Sequence, residues 1–149
     1  MEEKKHTYKD SLKELVPYVI IILTVVLIRS FLFSPIKVNG TSMTNTLHDG
    51  DTMILNKISY KFSDLKRFNI VVIKTENSYL IKRIIGLPGE KIKYEIKDNK
   101  GILYINGKKI NEEFINDDTK VKTCSIDSDL CKDGILISKE HYFVMGDNR

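Results

Sequence analysis

The 149-residue chain has no alanine and no glutamine, only three histidines and only two cysteines. The first two gaps reflect a bias toward isoleucine and lysine and carry no chemistry. The scarcity of histidine does bear on chemistry. His6 falls in the N-terminal tail, His48 in a loop and His141 just before a strand, so no pattern supports a Ser-His-Asp triad. Grouping His48 and His141 with Asp49 or Asp147 gives no HExxH or comparable ligand spacing, and no metal or cofactor is expected. Cys124 and Cys131 stand too far apart for a CxxC motif, and no second pair exists to complete a zinc site. A disulfide stapling this polar loop and two separate thiols both remain open. Net charge is small too: 24 Lys and Arg against 20 Asp and Glu leave +4. The lysines are scattered among acids, which argues against nucleic-acid binding.

One long hydrophobic run stands out against this background. Residues 15–28 carry no charge; Arg29 and Ser30 interrupt the run, and Phe31, Leu32 and Phe33 continue it. Counted to Phe33, it approaches the ~20 residues that span a bilayer. Arg29 near one end can snorkel to the headgroups, and Pro17 sits near the start, where a helix tolerates it. A cleaved signal peptide would need an A-x-A site, for which Ser34-Pro35-Ile36-Lys37 is a poor substitute. A domain this small could hardly enclose so apolar a core helix. Residues 15–33 therefore read as a transmembrane helix. Lys4, Lys5, Lys9 and Lys13 precede it and only Arg29 and Lys37 follow closely, so the positive-inside rule makes residues 1–14 a cytoplasmic tail. Residues 34–149 then lie on the outer face of the cell membrane.

Beyond the span the pattern is short β-rich runs between turns. Candidate strands cover 36–39, 52–57, 69–75, 79–85, 91–96, 102–105, 108–110 and 142–145. Asn106-Gly107 is a strong two-residue hairpin signal, and Pro88-Gly89 and Asp98-Asn99-Lys100-Gly101 mark further turns. Apart from a short turn after Ser42, no helical periodicity persists. The expected fold is mainly β: a single N-terminal transmembrane helix followed by an antiparallel β-rich domain.

Four segments bear on function. Ser42 lies in Gly40-Thr41-Ser42-Met43-Thr44-Asn45-Thr46-Leu47, and Lys82 in Ile81-Lys82-Arg83-Ile84-Ile85-Gly86-Leu87-Pro88-Gly89-Glu90. Gly50-Asp51-Thr52-Met53-Ile54-Leu55-Asn56-Lys57 and the final Gly146-Asp147-Asn148-Arg149 complete the set. With the anchor before them, these segments and their order resemble type I signal peptidase, a serine protease that removes signal peptides. Asn45 stands where that family usually has proline, Glu90 where it has aspartate, and Phe68-Asn69 where it has Gly-Asp.

The residues themselves suit the chemistry. A serine hydroxyl is a poor nucleophile until a base takes its proton and donors await the oxyanion. Gly40 lets the backbone turn sharply before Ser42, Met43 can line an apolar subsite, and the Ser42 amide can serve the oxyanion. A lysine base needs a desolvated, neutral amine. On a strand, Leu80, Lys82 and Ile84 share one face, giving Lys82 apolar neighbours on both sides. The resemblance implies catalytic roles for Ser42 as nucleophile and Lys82 as general base.

In the resembled family Gly-Asp-Asn-Arg opens a longer box whose serine, aspartate and arginine brace the lysine. The chain reaches only Arg149, so it is expected to be incomplete at its C-terminus and slow in cleavage. The implied partners are signal-peptide-bearing preproteins and membrane lipid. A second reading is a catalytically impaired, membrane-tethered β domain that binds exported polypeptides or an assembly partner. A third keeps the Ser/Lys chemistry in a self-cleaving repressor, but an anchor stands where those proteins carry a DNA-binding module.

Overall fold

The computed structural model describes residues 8–98, 100–115 and 128–149. The chain divides into two compact units, one of Met1–Ile36 with Ile54–Ser63 and the other of Lys37–Met53 with Asp64–Arg149.

The first unit opens with helix α1, Tyr8–Leu32, with Pro17 inside it. Its stretch Leu12–Leu32 is long and apolar enough to cross a membrane, about 31 Å at helical rise. Leu23, Val25 and Leu27 are more than half exposed, so the protein itself does not cover this apolar surface. The helix stops one residue short of the expected end. Phe33 instead opens strand β1, Phe33–Lys37, which pairs with β2, Thr52–Asn56. Pro35 explains the change, because the residue before a proline is pushed toward extended backbone. After β2, the Asn56 side-chain oxygen accepts from the Ile58 and Ser59 amides and starts a single-turn helix α2, Ser59–Phe62.

The second unit holds two antiparallel sheets. In the first, β3 (Ile70–Lys74), β4 (Tyr79–Gly86) and β9 (Phe143–Met145) lie in that order, with Val71 opposite Lys82 and Arg83 opposite Met145. In the second, β7 (Lys108–Ile110), β6 (Lys100–Ile105), β5 (Lys91–Lys97) and β8 (Ile135–Leu136) lie in sequence. Asn106 and Gly107 both take positive φ between β6 and β7, as a type I′ turn requires. Ile85, Ile92, Tyr94, Leu103, Ile105, Leu130 and Ile137 form the core, with Leu130 supplied by the short helix α3, Asp129–Lys132. Antiparallel β structure after an apolar helix is the expected fold class. Strand β8 and helices α2 and α3 are additions too short to show a period. Cys131 is disulfide-bonded, and Cys124 lies outside the described residues.

Candidate active site

Ser42 sits on a tight turn within a loop that closes on itself. The loop is shut by Val38 N–H to Asp51 O (2.8 Å) and Gly50 N–H to Val38 O (2.9 Å). Gly40 has a φ of +100°, which a side chain would strain, and its amide donates to Asp49 Oδ1 at 2.7 Å. The Thr46 and Leu47 amides both reach Met43 O, winding residues 43–47 into one helical turn. Met43 was expected to line a subsite; it is 1% exposed and pins the turn from inside instead. Ser42 is exposed, and its N–H meets no acceptor among the described residues.

The chain's last residues grip this turn. A Cβ on Gly146 would lie 2.3 Å from the Ser42 carbonyl oxygen, so only glycine permits the approach. Asn148 donates from its backbone to Ser42 O at 3.1 Å and from its side chain to Thr41 O at 3.0 Å. In return, Asn45 Nδ2 donates to Asp147 O (3.1 Å) and Thr46 Oγ1 to Asp147 Oδ2 (2.5 Å).

Asp147 is fully buried, and its carboxylate faces Arg83. Arg83 also donates to Phe68 O and Thr46 Oγ1, and its guanidinium lies 4.2 Å from the Phe114 ring centroid. Such charge-assisted, bidentate bonds are among the strongest a protein makes, and burial makes them specific in geometry. Arg83 immediately follows Lys82 on β4. Successive strand residues face opposite ways, so the half-buried Lys82 points away from the ion pair. Its flanks differ from expectation: Ile84 is 1% exposed, but Leu80 is 43% exposed, so only one neighbour on that face is buried. The Ser42 hydroxyl and the Lys82 side-chain nitrogen enter no hydrogen bond with each other or with any other group among the described residues.

Two further clusters brace the frame. Arg149 bonds Gly146 O, Tyr94 Oη and Glu112 Oε1 at 2.9, 2.6 and 2.6 Å. Burial drives the Tyr94 hydroxyl far above its usual range; the Arg149 charge opposes this and the nearby Glu112 charge adds to it. At the turn after β4, Glu90 accepts from Arg67 and from the Leu87 amide. Burial pushes the Glu90 carboxyl upward, but these bonds and the Arg67 charge outweigh it and hold the group below its ordinary value. His48 and His141 are exposed. Among the described residues no group of three or more His, Cys, Asp or Glu is placed to hold a metal ion.

Arg83, Thr46, Gly146 and Asp147 all lie in the four segments singled out in the sequence, but their contacts with one another and with the Ser42 turn are not legible there. One signal was available: an arginine flanked by Ile81 and Ile85 on a strand face needs a buried acid somewhere.

The sequence has relatives. A family profile described as signal peptidase, peptidase S26, matches residues 11–149. Signal peptidase I of Bacillus licheniformis is 40% identical over 153 residues, covering 99% of this chain and 80% of its own length. Signal peptidase I T of Bacillus subtilis (strain 168) is 41% identical over 153 residues, covering 99% and 75% respectively. A crystal structure of a signal peptidase I from Enterococcus faecalis V583 aligns with 58% of this chain and 80% of that one, at 27% identity and a TM-score of 0.42. A profile matched through to Arg149 and 40% identity along nearly the whole length make this chain a member of the signal peptidase family, peptidase S26.

Proposed function

We propose that this signal-peptidase family member is a membrane-tethered serine endopeptidase that removes N-terminal signal peptides from exported preproteins by a Ser42/Lys82 dyad. The observation that carries the proposal is the interlock of the Ser42 turn with Asp147, whose carboxylate is held by Arg83, the neighbour of Lys82. It fixes the serine segment against the strand that bears the lysine. Positioning of this kind is worth large factors in rate, because reacting groups must meet within about 3–3.5 Å.

In the proposed reaction, Ser42 Oγ attacks the carbonyl carbon after a small residue of the preprotein, and the Lys82 side-chain nitrogen takes the hydroxyl proton. The oxyanion that forms is met by the Ser42 N–H, which no acceptor among the described residues occupies. Lys82 then passes its proton to the leaving amine of the mature chain as the peptide C–N bond breaks, giving an acyl-enzyme. A water, deprotonated by the same lysine, attacks the ester and releases the signal peptide.

Helix α1 supplies the tether. Residues 15–32 of that helix span the membrane in this reading, with residues 1–14 cytoplasmic and residues 33–149 on the outer face. Enzyme and membrane-held substrate then share one surface, which raises their effective concentration.

The test is cleavage of a preprotein by the full chain in lipid vesicles, beside Ser42→Ala and Lys82→Met. Cleavage lost in both variants supports the dyad; unchanged cleavage by either variant rejects it. Binding without cleavage by the unaltered chain would favour the impaired, polypeptide-binding alternative.

A further inference from the structure

We infer that Asn45 is a positioning residue for Ser42: its side-chain amide ties the serine turn to the Asp147 backbone and sets where the hydroxyl stands. The inference rests on Ser42 being the nucleophile. Asn45 is half-buried, and its Nδ2 donates to the Asp147 carbonyl at 3.1 Å across 102 positions of sequence. Only a donor can meet a carbonyl oxygen there, which fixes the orientation of the amide.

The neighbouring contacts show what this bond controls. Thr46, the next residue, holds the Asp147 carboxylate, and Asn148, the next residue on the other side, donates to the Ser42 and Thr41 carbonyls. Residues 41–46 and 146–148 thus clasp each other from both sides. Asn45 is the member that grips the Asp147 main chain, so it resists sliding of the turn while leaving the carboxylate to Arg83 and Thr46. The Asn45 N–H enters no hydrogen bond among the described residues, so proline at this position would forfeit none. Asparagine therefore stiffens by a long-range bond a turn that proline can stiffen by fixing φ.

Three variants of the full chain test this: Asn45→Ala, Asn45→Asp and Asn45→Pro. Asp keeps the size but cannot donate. Hydrogen exchange of the amides of residues 43–47 reads the clasp whether or not the chain cleaves. It should speed up in Ala and Asp and stay near the unaltered rate in Pro. In cleavage, Ala and Asp should lower kcat about tenfold, the effect of roughly one hydrogen bond, with KM within about twofold. Pro should recover kcat to within about threefold. Unchanged exchange and kcat in Ala and Asp, a loss confined to KM, or a proline variant as poor as alanine would each overturn the inference. Ser42→Ala is assayed alongside: continued cleavage by that variant removes the nucleophile assignment itself, while the exchange rates report the clasp separately.

Discussion

Asp147 receives the guanidinium of Arg83 in a two-pronged bond, Nε to Oδ1 at 2.9 Å and Nη2 to Oδ2 at 2.6 Å, with no part of the carboxylate residue exposed. The pair joins strand β4 to the segment that grips the Ser42 turn. Taking one partner away leaves the other charge buried and unmatched, a loss of about 3–5 kcal/mol. Asp147→Ala and Arg83→Met should each destabilise the chain by that order in denaturant unfolding and remove cleavage. Arg83→Lys should not restore either property, since an ammonium cannot make the fork. Near-normal stability in the single variants would show that the pair is not holding the frame.

Gly146→Ala tests the close approach to Ser42. The added Cβ would meet the Ser42 carbonyl oxygen at 2.3 Å, and a backbone atom cannot swing aside as a flexible side chain would. A displacement of about 1 Å can cost about a hundredfold in rate. The variant should fold, and cleave at least about a hundredfold more slowly than the unaltered chain. Wild-type kinetics would mean the 146–148 segment is free to move away from the serine.

Phe68 holds a φ of +68°, a left-handed conformation costing a side-chain-bearing residue ~1–2 kcal/mol. Its carbonyl is engaged by Arg83, and its ring meets Phe114 edge-on with centroids 5.2 Å apart. Phe68→Ala keeps the strain and loses the packing; Phe68→Gly loses the packing but relieves the strain. Thermal unfolding should therefore rank Phe68→Gly above Phe68→Ala. The reverse order would contradict the strain assignment.

Glu90 links stability to pH. Its carboxyl ionises more readily in the folded chain than in the unfolded one, so its contribution is fully present above the ordinary glutamate value. That contribution fades as pH falls through the lowered folded value. The stability gap between the unaltered chain and Glu90→Gln should thus be constant near neutrality and shrink as the solution becomes acid. A gap that widened on acidification would reverse the sign of this argument.

Legibility in the sequence followed the range of the forces involved. The β-rich run 79–85 and the Asn106-Gly107 turn report local backbone preference, and both appear in the structure close to where they are expected, although burial along the strand rises toward its end and does not alternate. Helices α2 and α3, four residues each, and the two-residue β8 are too short for a period to show. The apolar run through Phe33 hid the helix end because hydrophobicity continues across it; Pro35 was the better guide. Ser42 and Lys82 are proposed from their surrounding residues, whereas the Arg83–Asp147 contact, 64 positions apart, has no such local signal. Asn45 was visible as a departure from the family's proline, and only folding gave its amide a partner.

The most direct test of the account is to quench a preprotein cleavage reaction of the full chain in acid within its first turnovers and map any acyl adduct by mass spectrometry. The account predicts a signal-peptide ester on the peptide containing Ser42, absent in Ser42→Ala and undetectable in Lys82→Arg, whose guanidinium stays charged. An adduct on another residue, or cleavage at an undiminished rate by Lys82→Arg, would contradict it.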